Sequence, residues 1–192
     1  MASPGRRRSF LAGHWLAREL AAEWLQVGAA RIGLGRHADG RPLLQVDGAP
    51  SALSLSLSHS GDWLAVALAD APVGVDIELP RRTRDYPALA RFAFSPEEAA
   101  RLDGLDDAGR RGAFHVLWTL KEARGKRSGE GLLPGRARRV TSLPSDADAA
   151  EAASWGLEEG ALALAIDPGA TIDIIGGETL HTPAWWRYRE DG

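Results

Sequence analysis

Leu53-Ser54-Leu55-Ser56-Leu57-Ser58, followed fifteen residues on by Val73-Gly74-Val75-Asp76-Ile77-Glu78, are the two stretches on which the fold reading turns. Both alternate with a period of two, the signature of β-strands. In the first, leucines occupy one face and serines the other, which predicts a half-buried strand. In the second, Val73, Val75 and Ile77 oppose Gly74, Asp76 and Glu78. Residues 63–69 read as a strand between them, and Ala71-Pro72 punctuates the chain just before the second stretch.

Outward from this pair, residues 9–26 read as an amphipathic helix stopped by Gly28, with short strands around 31–34 and 42–46 and a turn at Asp39-Gly40-Arg41-Pro42. Beyond Pro80 the pattern becomes helical. One helix covers about 85–93. A second begins at Ser95-Pro96-Glu97-Glu98, with an N-cap serine, proline at the first helical position and acids in the first turn. A third spans about 107–126. Short strands follow near 136–142, 152–158, 160–166 and 171–175. The order predicts an α+β protein of two unequal halves, residues 1–70 and 71–192, with the seam near Asp70 to Pro72.

Composition narrows the function. The formal net charge of −3 argues against bulk nucleic-acid binding, and the absence of cysteine removes thiolate metal sites and a cysteine nucleophile. Arg6, Arg7 and Arg8 precede a stretch broken by His14, Arg18, Glu19 and Glu23, which is not a secretory leader. No apolar run approaches the ~18 residues of a membrane span. A soluble cytoplasmic protein is the expectation. Lysine occurs only at Lys121 and Lys126, and every other basic residue except histidine is arginine. Two lysines inside one six-residue window mark a place that wants a compact ammonium on a flexible stem.

The candidate chemistry begins with Asp76 and Glu78. Residues two apart on a strand project from one face, about 6.5–7 Å apart, and two such carboxylates suit a hard cation such as Mg²⁺. An isolated acid pair repels itself, so removing Asp76 is expected to leave the metal-free protein slightly more stable. On the third helix Trp118, Glu122 and Lys126 fall on one stripe. Gly125 inside that helix implies a close approach to its backbone. His59, in Ser58-His59-Ser60-Gly61, sits at a strand end, where a histidine beside hydroxyls suits a phosphate. Gly-rich nucleotide loops and a nucleophile elbow are both missing.

Taken in order, Gly40-Arg41-Pro42, Leu57-Ser58-His59-Ser60-Gly61, Val73-Gly74-Val75-Asp76-Ile77-Glu78, Phe94-Ser95-Pro96-Glu97-Glu98 and Trp118-Thr119-Leu120-Lys121-Glu122-Ala123, with Lys126 and Gly129-Glu130-Gly131-Leu132, resemble the 4′-phosphopantetheinyl transferase superfamily. The likeness is to its larger, pseudo-dimeric, surfactin-synthetase-activating type and spans about residues 40–132; it implies that the two halves are similar α/β units with the active site in the cleft between them. It implies transfer of the phosphopantetheine arm of coenzyme A to a serine of an acyl or peptidyl carrier protein, with release of adenosine 3′,5′-bisphosphate. Asp76, Glu78 and Glu122 would hold Mg²⁺, with Mn²⁺ as a substitute. Glu122 would also take the serine proton. Lys126 would bind the pyrophosphate, His59 and Ser58 a phosphate of the nucleotide end, and Gly40 and Arg41 would lie near the adenine, with arginine replacing the family's lysine. Lys121 is implied as a further coenzyme contact and Glu98 as a recurrent acid. The segment before the first helix is short against larger relatives, where basic residues grip the 3′-phosphate; Arg6, Arg7, Arg8 and Arg18 are the candidates. Arg124 and Gly125 replace apolar or aromatic residues. A monomer is expected to suffice, without nucleic acid or membrane.

Two other readings fit part of the pattern: a metal-dependent phosphohydrolase built on Asp76 and Glu78, and a carrier- or coenzyme-binding module with little turnover. The first leaves the Ser-His-Ser and Lys-Glu-x-x-x-Lys blocks unexplained.

An arginine-rich chain that keeps a lysine at 126 needs the smaller cation there. Lys126→Arg is therefore expected to lose much of the transfer rate although charge is retained, and Lys126→Ala to lose more. Measurement of kcat/KM for coenzyme A in both variants checks this; full activity in the arginine variant would show that any cation serves.

Overall fold

In the computed structural model the described residues are 4–80, 84–158, 160–177 and 179–191. The chain opens with helix α1 (Pro4–Leu25), whose buried positions Gly13, Ala17 and Ala21 recur every four residues and form one small-residue face. A Cβ added at Gly13 would stand 3.3 Å from the side chains of Leu57 and Leu64, so the helix lies directly on the strands that follow. Strands β1 (Ile32–Arg36), β2 (Pro42–Val46) and β3 (Ala49–Pro50) form a small antiparallel sheet. Strands β4 (Ser54–Ser60) and β5 (Trp63–Ala69) form a separate hairpin turned at Gly61 and Asp62. Leu44, Leu55, Ile32 and the alanines of α1 make the core between them.

Strand β6 (Gly74–Glu78) starts a second, five-stranded antiparallel sheet. It is completed by β7 (Val140–Pro144), β8 (Ala152–Leu157), β9 (Gly160–Ala165) and β10 (Ala184–Glu190), in the order β6-β9-β8-β10-β7. Helices α2 (Tyr86–Ala93), α3 (Pro96–Asp103) and α4 (Asp107–Ser128) and the single turn α5 (Pro134–Ala137) come between β6 and β7. The long α4 packs on β6, β9 and β8 over a floor of Ala152, Ala163 and Ala165, with Phe94, Phe114, Leu102 and Leu120 closing the core. The architecture is α+β.

The join between the β4–β5 hairpin and this sheet departs from ordinary pairing. One edge of β6 pairs with β9. Along its other edge, the amides of Val73, Val75, Ile77 and Leu79 donate to the hydroxyls of Ser54, Ser56, Ser58 and Ser60 at 3.2, 3.0, 3.3 and 3.0 Å. Side-chain oxygens thus do the work that a neighbouring strand's carbonyls do in a ladder, and an edge that would otherwise be open is closed. The alternation in β4 therefore does not mark a half-buried strand. Ser56, Ser58 and Ser60 are 4%, 9% and 1% exposed, as deeply placed as Leu55 at 4%. A serine face is buried here because β6 presents a donor to each hydroxyl.

Elsewhere three expectations are corrected. The strand read at 136–142 begins only at Val140, because Pro134 starts the helical turn α5 at its favoured first position. Residues 171–175 form no strand; Thr171, Asp173, Ile174 and Ile175 are exposed. The interior strand β10, unforeseen, lies between β8 and the edge strand β7, and the indole of Trp186 donates to Ser154 Oγ at 2.8 Å. The expected N-cap at Ser95 is present as a full capping box with Glu98.

Gly74 shows how closely α4 is pressed to β6. A Cβ there would sit 2.0 Å from the carbonyl oxygen of Ala123 and 2.6 Å from the amide nitrogen of Arg127. Neither backbone atom can swing away. Gly74→Ala is expected to destabilise the fold by more than about 3 kcal/mol in urea unfolding, at the top of the overpacking range. Gly112→Ala in the same α4, with nothing within 4 Å of the added carbon, should instead gain about 0.5–1 kcal/mol.

Candidate functional site

The crossing of β4, β6 and α4 gathers most of the chemically suggestive side chains. Asp76, in the middle of β6, is 4% exposed. Its Oδ1 accepts from Ser58 Oγ at 2.8 Å and from Lys126 Nζ at 2.7 Å. Its Oδ2 is buried and has no partner. Lys126 reaches this point from the last turn of α4 and also donates to the carbonyls of Val75 at 3.0 Å and Leu57 at 3.5 Å. Asp76 therefore faces a cation, and removing it leaves Lys126 unpaired. The expected stabilisation on losing Asp76 gives way to an expected loss, because the repelling pair is in fact a neutralised one.

Glu122 lies one helical turn before Lys126 and is half-buried. Burial pushes its carboxyl up to about 7; the Asp76 charge adds to the rise, the Lys126 ammonium opposes it, and Glu78 raises it further. Asp76, Glu78 and Glu122 thus share one electrostatic environment. Among the described residues, no three acids or histidines converge into a ready-made metal cage. Mg²⁺ does not require one. It takes one or two carboxylates and keeps waters and substrate phosphates for the rest of its shell. A buried carboxylate oxygen without a partner, beside a carboxyl pushed up to about 7 by burial and then by the charges of Asp76 and Glu78, is an oxygen-donor set short of positive charge. These residues fit a hard divalent cation.

The remaining candidates divide. Gly40, with φ at 90°, and Arg41 form the turn between β1 and β2, and Arg41 reaches the far end of α4. There its Nη1 donates to the carbonyl of Arg127 at 3.3 Å, and Gly129 packs against its guanidinium. That turn therefore borders the Lys126 end of the helix. His59 is exposed, on the face of β4 opposite Ser58. Arg7, Arg8 and Arg18 are exposed on α1, and the side chain of Arg6 lies outside the described part.

Lys121 is placed apart from the group. It is 3% exposed, and its ammonium contacts Glu98 Oε2 at 2.9 Å and the carbonyls of Ala137 and Val140. Burial lowers its pKa, and Glu98 counters that. Glu98, fully buried, also accepts from the amides of Ser95 and Ser142 at 2.9 and 2.8 Å, tying α3, α4 and β7 together. Arg124 pairs with Glu190 at 2.8 Å and lies over the Tyr188 ring. The close approach foreseen at Gly125 comes from the chain itself: a Cβ there would stand 2.6 Å from the carbonyl oxygen of Gly131. The Ser58–Asp76 bond was not anticipated, and neither was the Glu98–Lys121 pair. Only the shared face of Ser54, Ser56 and Ser58 hinted at the first.

Comparison with known proteins finds matches along most of the chain. Residues 72–166 match the family model described as the 4′-phosphopantetheinyl transferase superfamily, and residues 5–71 match that of the 4′-phosphopantetheinyl transferase N-terminal region. The chain is 29% identical over 187 residues to the 4′-phosphopantetheinyl transferase HetI of Nostoc sp., covering 96% of this chain and 77% of that one. It is 33% identical over 142 residues to the 4′-phosphopantetheinyl transferase psf-1 of Bacillus pumilus, covering 74% of this chain and 59% of that one. With the 4′-phosphopantetheinyl transferase AcpT of Salmonella typhimurium it shares 32% over 141 residues, 73% of this chain and 66% of the other.

The Glu122 environment has a measurable consequence. The folded protein holds the Glu122 proton up to about pH 7, whereas the unfolded chain releases it near 4.5. The folded state binds more protons across that window, so metal-free stability falls as pH rises through it, by no more than about 3 kcal/mol. Urea unfolding in chelator from pH 4.5 to 7.5 should show this slope in the native sequence and a flatter one in Glu122→Gln.

Proposed function

The chain belongs to the 4′-phosphopantetheinyl transferase superfamily, and from that premise we propose that it moves the 4′-phosphopantetheine arm of coenzyme A onto a serine of an acyl or peptidyl carrier protein. The observation that carries the proposal is the cluster at the β4–β6–α4 crossing: the Asp76 carboxylate with one oxygen bare, Lys126 beside it, and Glu122 with its carboxyl raised to about 7. In the transfer, the carrier serine oxygen bonds to the β-phosphorus of coenzyme A. The bond from that phosphorus to the oxygen bridging the two phosphates breaks, and adenosine 3′,5′-bisphosphate leaves. Glu122 takes the serine proton; a base with a pKa near the working pH is suited to this. Lys126 supplies a point charge to the pyrophosphate. Asp76, Glu78 and Glu122 would hold Mg²⁺, or Mn²⁺ in its place, which neutralises phosphate charge when bound. His59 is read toward a nucleotide phosphate and Gly40 and Arg41 toward the adenine; Ser58, its neighbour in sequence, is instead buried on the opposite face of β4 with its proton on Asp76. Lys121 and Glu98 support the helix that presents Glu122 and Lys126.

We also read residues 1–70 and 71–192 as the two halves of the pseudo-dimeric, surfactin-synthetase-activating type, acting as a cytoplasmic monomer. The separate sheets on either side of residues 70–73 support the division. No helix among the described residues is long and apolar enough to cross a membrane.

Incubation of apo acyl and peptidyl carriers with coenzyme A and Mg²⁺ is expected to add one phosphopantetheine to the carrier in intact-mass spectra. Asp76→Ala should lower the rate at least about 100-fold and lower the melting temperature without abolishing the fold. Stabilisation by coenzyme A with no carrier modified would leave a binding module, and phosphate release from simple esters without a carrier would indicate a phosphohydrolase.

A further inference from the structure

We propose that Ser58 is a positioning residue for Asp76, fixing that carboxylate so that one oxygen stays bare for a divalent cation; the inference rests on the transferase reading of the site. Four hydroxyls cap the edge of β6, but among the described residues only Ser58 has a carboxylate as its second partner. Ser58 Oγ accepts from the amide of Ile77 at 3.3 Å, so its single proton is directed elsewhere, and it is given to Asp76 Oδ1 at 2.8 Å. Lys126 donates to the same oxygen at 2.7 Å. With both donors on Oδ1, rotation of the carboxylate is blocked, and Oδ2 is left buried with no partner. A buried acceptor without a partner is costly. It persists here because Oδ1 is held from two directions.

Ser56 provides the internal contrast. It is 4% exposed against 9% for Ser58, and it caps Val75 at 3.0 Å as Ser58 caps Ile77. No carboxylate lies among its bonded partners. His59, between Ser58 and Ser60, is exposed on the opposite face of β4. The Ser-His-Ser block is thus split by strand alternation: its serines serve β6, and its histidine faces solvent. Ser58 does not share a face with His59, and its bonded partner is the acid. Without the Ser58 proton, the Asp76 carboxylate is free to turn and offer both oxygens to Lys126, which removes the bare oxygen.

The test is Mn²⁺ binding to the full chain in saturating coenzyme A without carrier, read from the electron paramagnetic resonance signal of free Mn²⁺. Ser58→Ala is expected to weaken Mn²⁺ binding about 10- to 100-fold, the usual effect of losing a group that orients a metal ligand. Ser58→Thr, which keeps the hydroxyl, should restore most of the affinity. Ser56→Ala should lower the melting temperature by a similar amount and leave Mn²⁺ affinity unchanged. Should Ser58→Ala fail to fold, Ser58→Cys keeps the side-chain volume with a weaker donor and carries the same expectation. Native affinity in Ser58→Ala, or an equal loss in Ser56→Ala, overturns the positioning role while transfer by the unaltered chain stands. Absence of Mn²⁺ binding in the unaltered chain overturns it together with the metal reading, and carrier modification measured on the same sample shows whether the transferase reading falls too.

Discussion

The hydroxyl ladder between β4 and β6 is the constraint on which the rest of the site depends. Strand β6 is the edge of a five-stranded sheet, and its outer amides must be satisfied. A conventional partner strand would satisfy them with carbonyls and merge the two sheets into one. Serines at alternate positions of β4 satisfy them through side chains instead. The hairpin is therefore held against β6 through a layer of hydroxyls, at a register fixed by four matched pairs. A slip of one residue would present leucines to the amides, so the register carries the same penalty that governs ordinary strand pairing.

This register sets Ser58 against Asp76, and α4 sets the third direction. Gly74 lets the backbone of α4 meet β6 directly, with the carbonyl of Ala123 where a side chain would be. The closeness of helix and strand delivers Lys126 to Oδ1 of Asp76 and brings Glu122 into the field of Asp76 and Glu78. At this same C-terminal end of the helix, Gly125 admits the returning loop at Gly131, and Gly129 caps the helix in a left-handed conformation against Arg41. Bulkier residues at these glycines would lift α4 off its floor, and the acids would no longer share one environment.

Much of this was legible in the sequence because it is written in local signals. Period-two alternation marks β4 and β6 as strands, capping chemistry marks the start of α3, and i, i+4 spacing puts Glu122 and Lys126 on one stripe. What stayed hidden depends on partners distant along the chain. The serine face of β4 reads as solvent-facing until the amides of β6 are placed opposite it. The apolar run at 171–175 has the composition of a strand and no strand to pair with. The strand β10 carries its pattern in Trp186 and Tyr188, whose polar atoms find Ser154 and the carbonyl of Leu120 only in the folded sheet. Lys121 and Lys126 look alike in sequence, and the partner that tells them apart, Glu98 or Asp76, lies on another element in each case.

Those two lysines share a reason for not being arginine. Each ammonium serves one carboxylate and two backbone carbonyls: Glu98, Ala137 and Val140 for Lys121, and Asp76, Val75 and Leu57 for Lys126. Three acceptors around a point suit the three donors of an ammonium. A planar guanidinium spreads five donors in a fork, and bringing it into either site would leave donors buried and unmatched. Arginines of this chain with polar partners instead stand at its rim, as with Arg31 to Asp47 and Arg189 to Glu97, where water takes the unused donors. The compositional bias thus marks two ammonium sites, one buried and one half-buried: Lys121 fastens α4 into the core, and Lys126 carries the same three-donor geometry to Asp76, whose Oδ2 is, among the described residues, the one buried carboxylate oxygen without a partner.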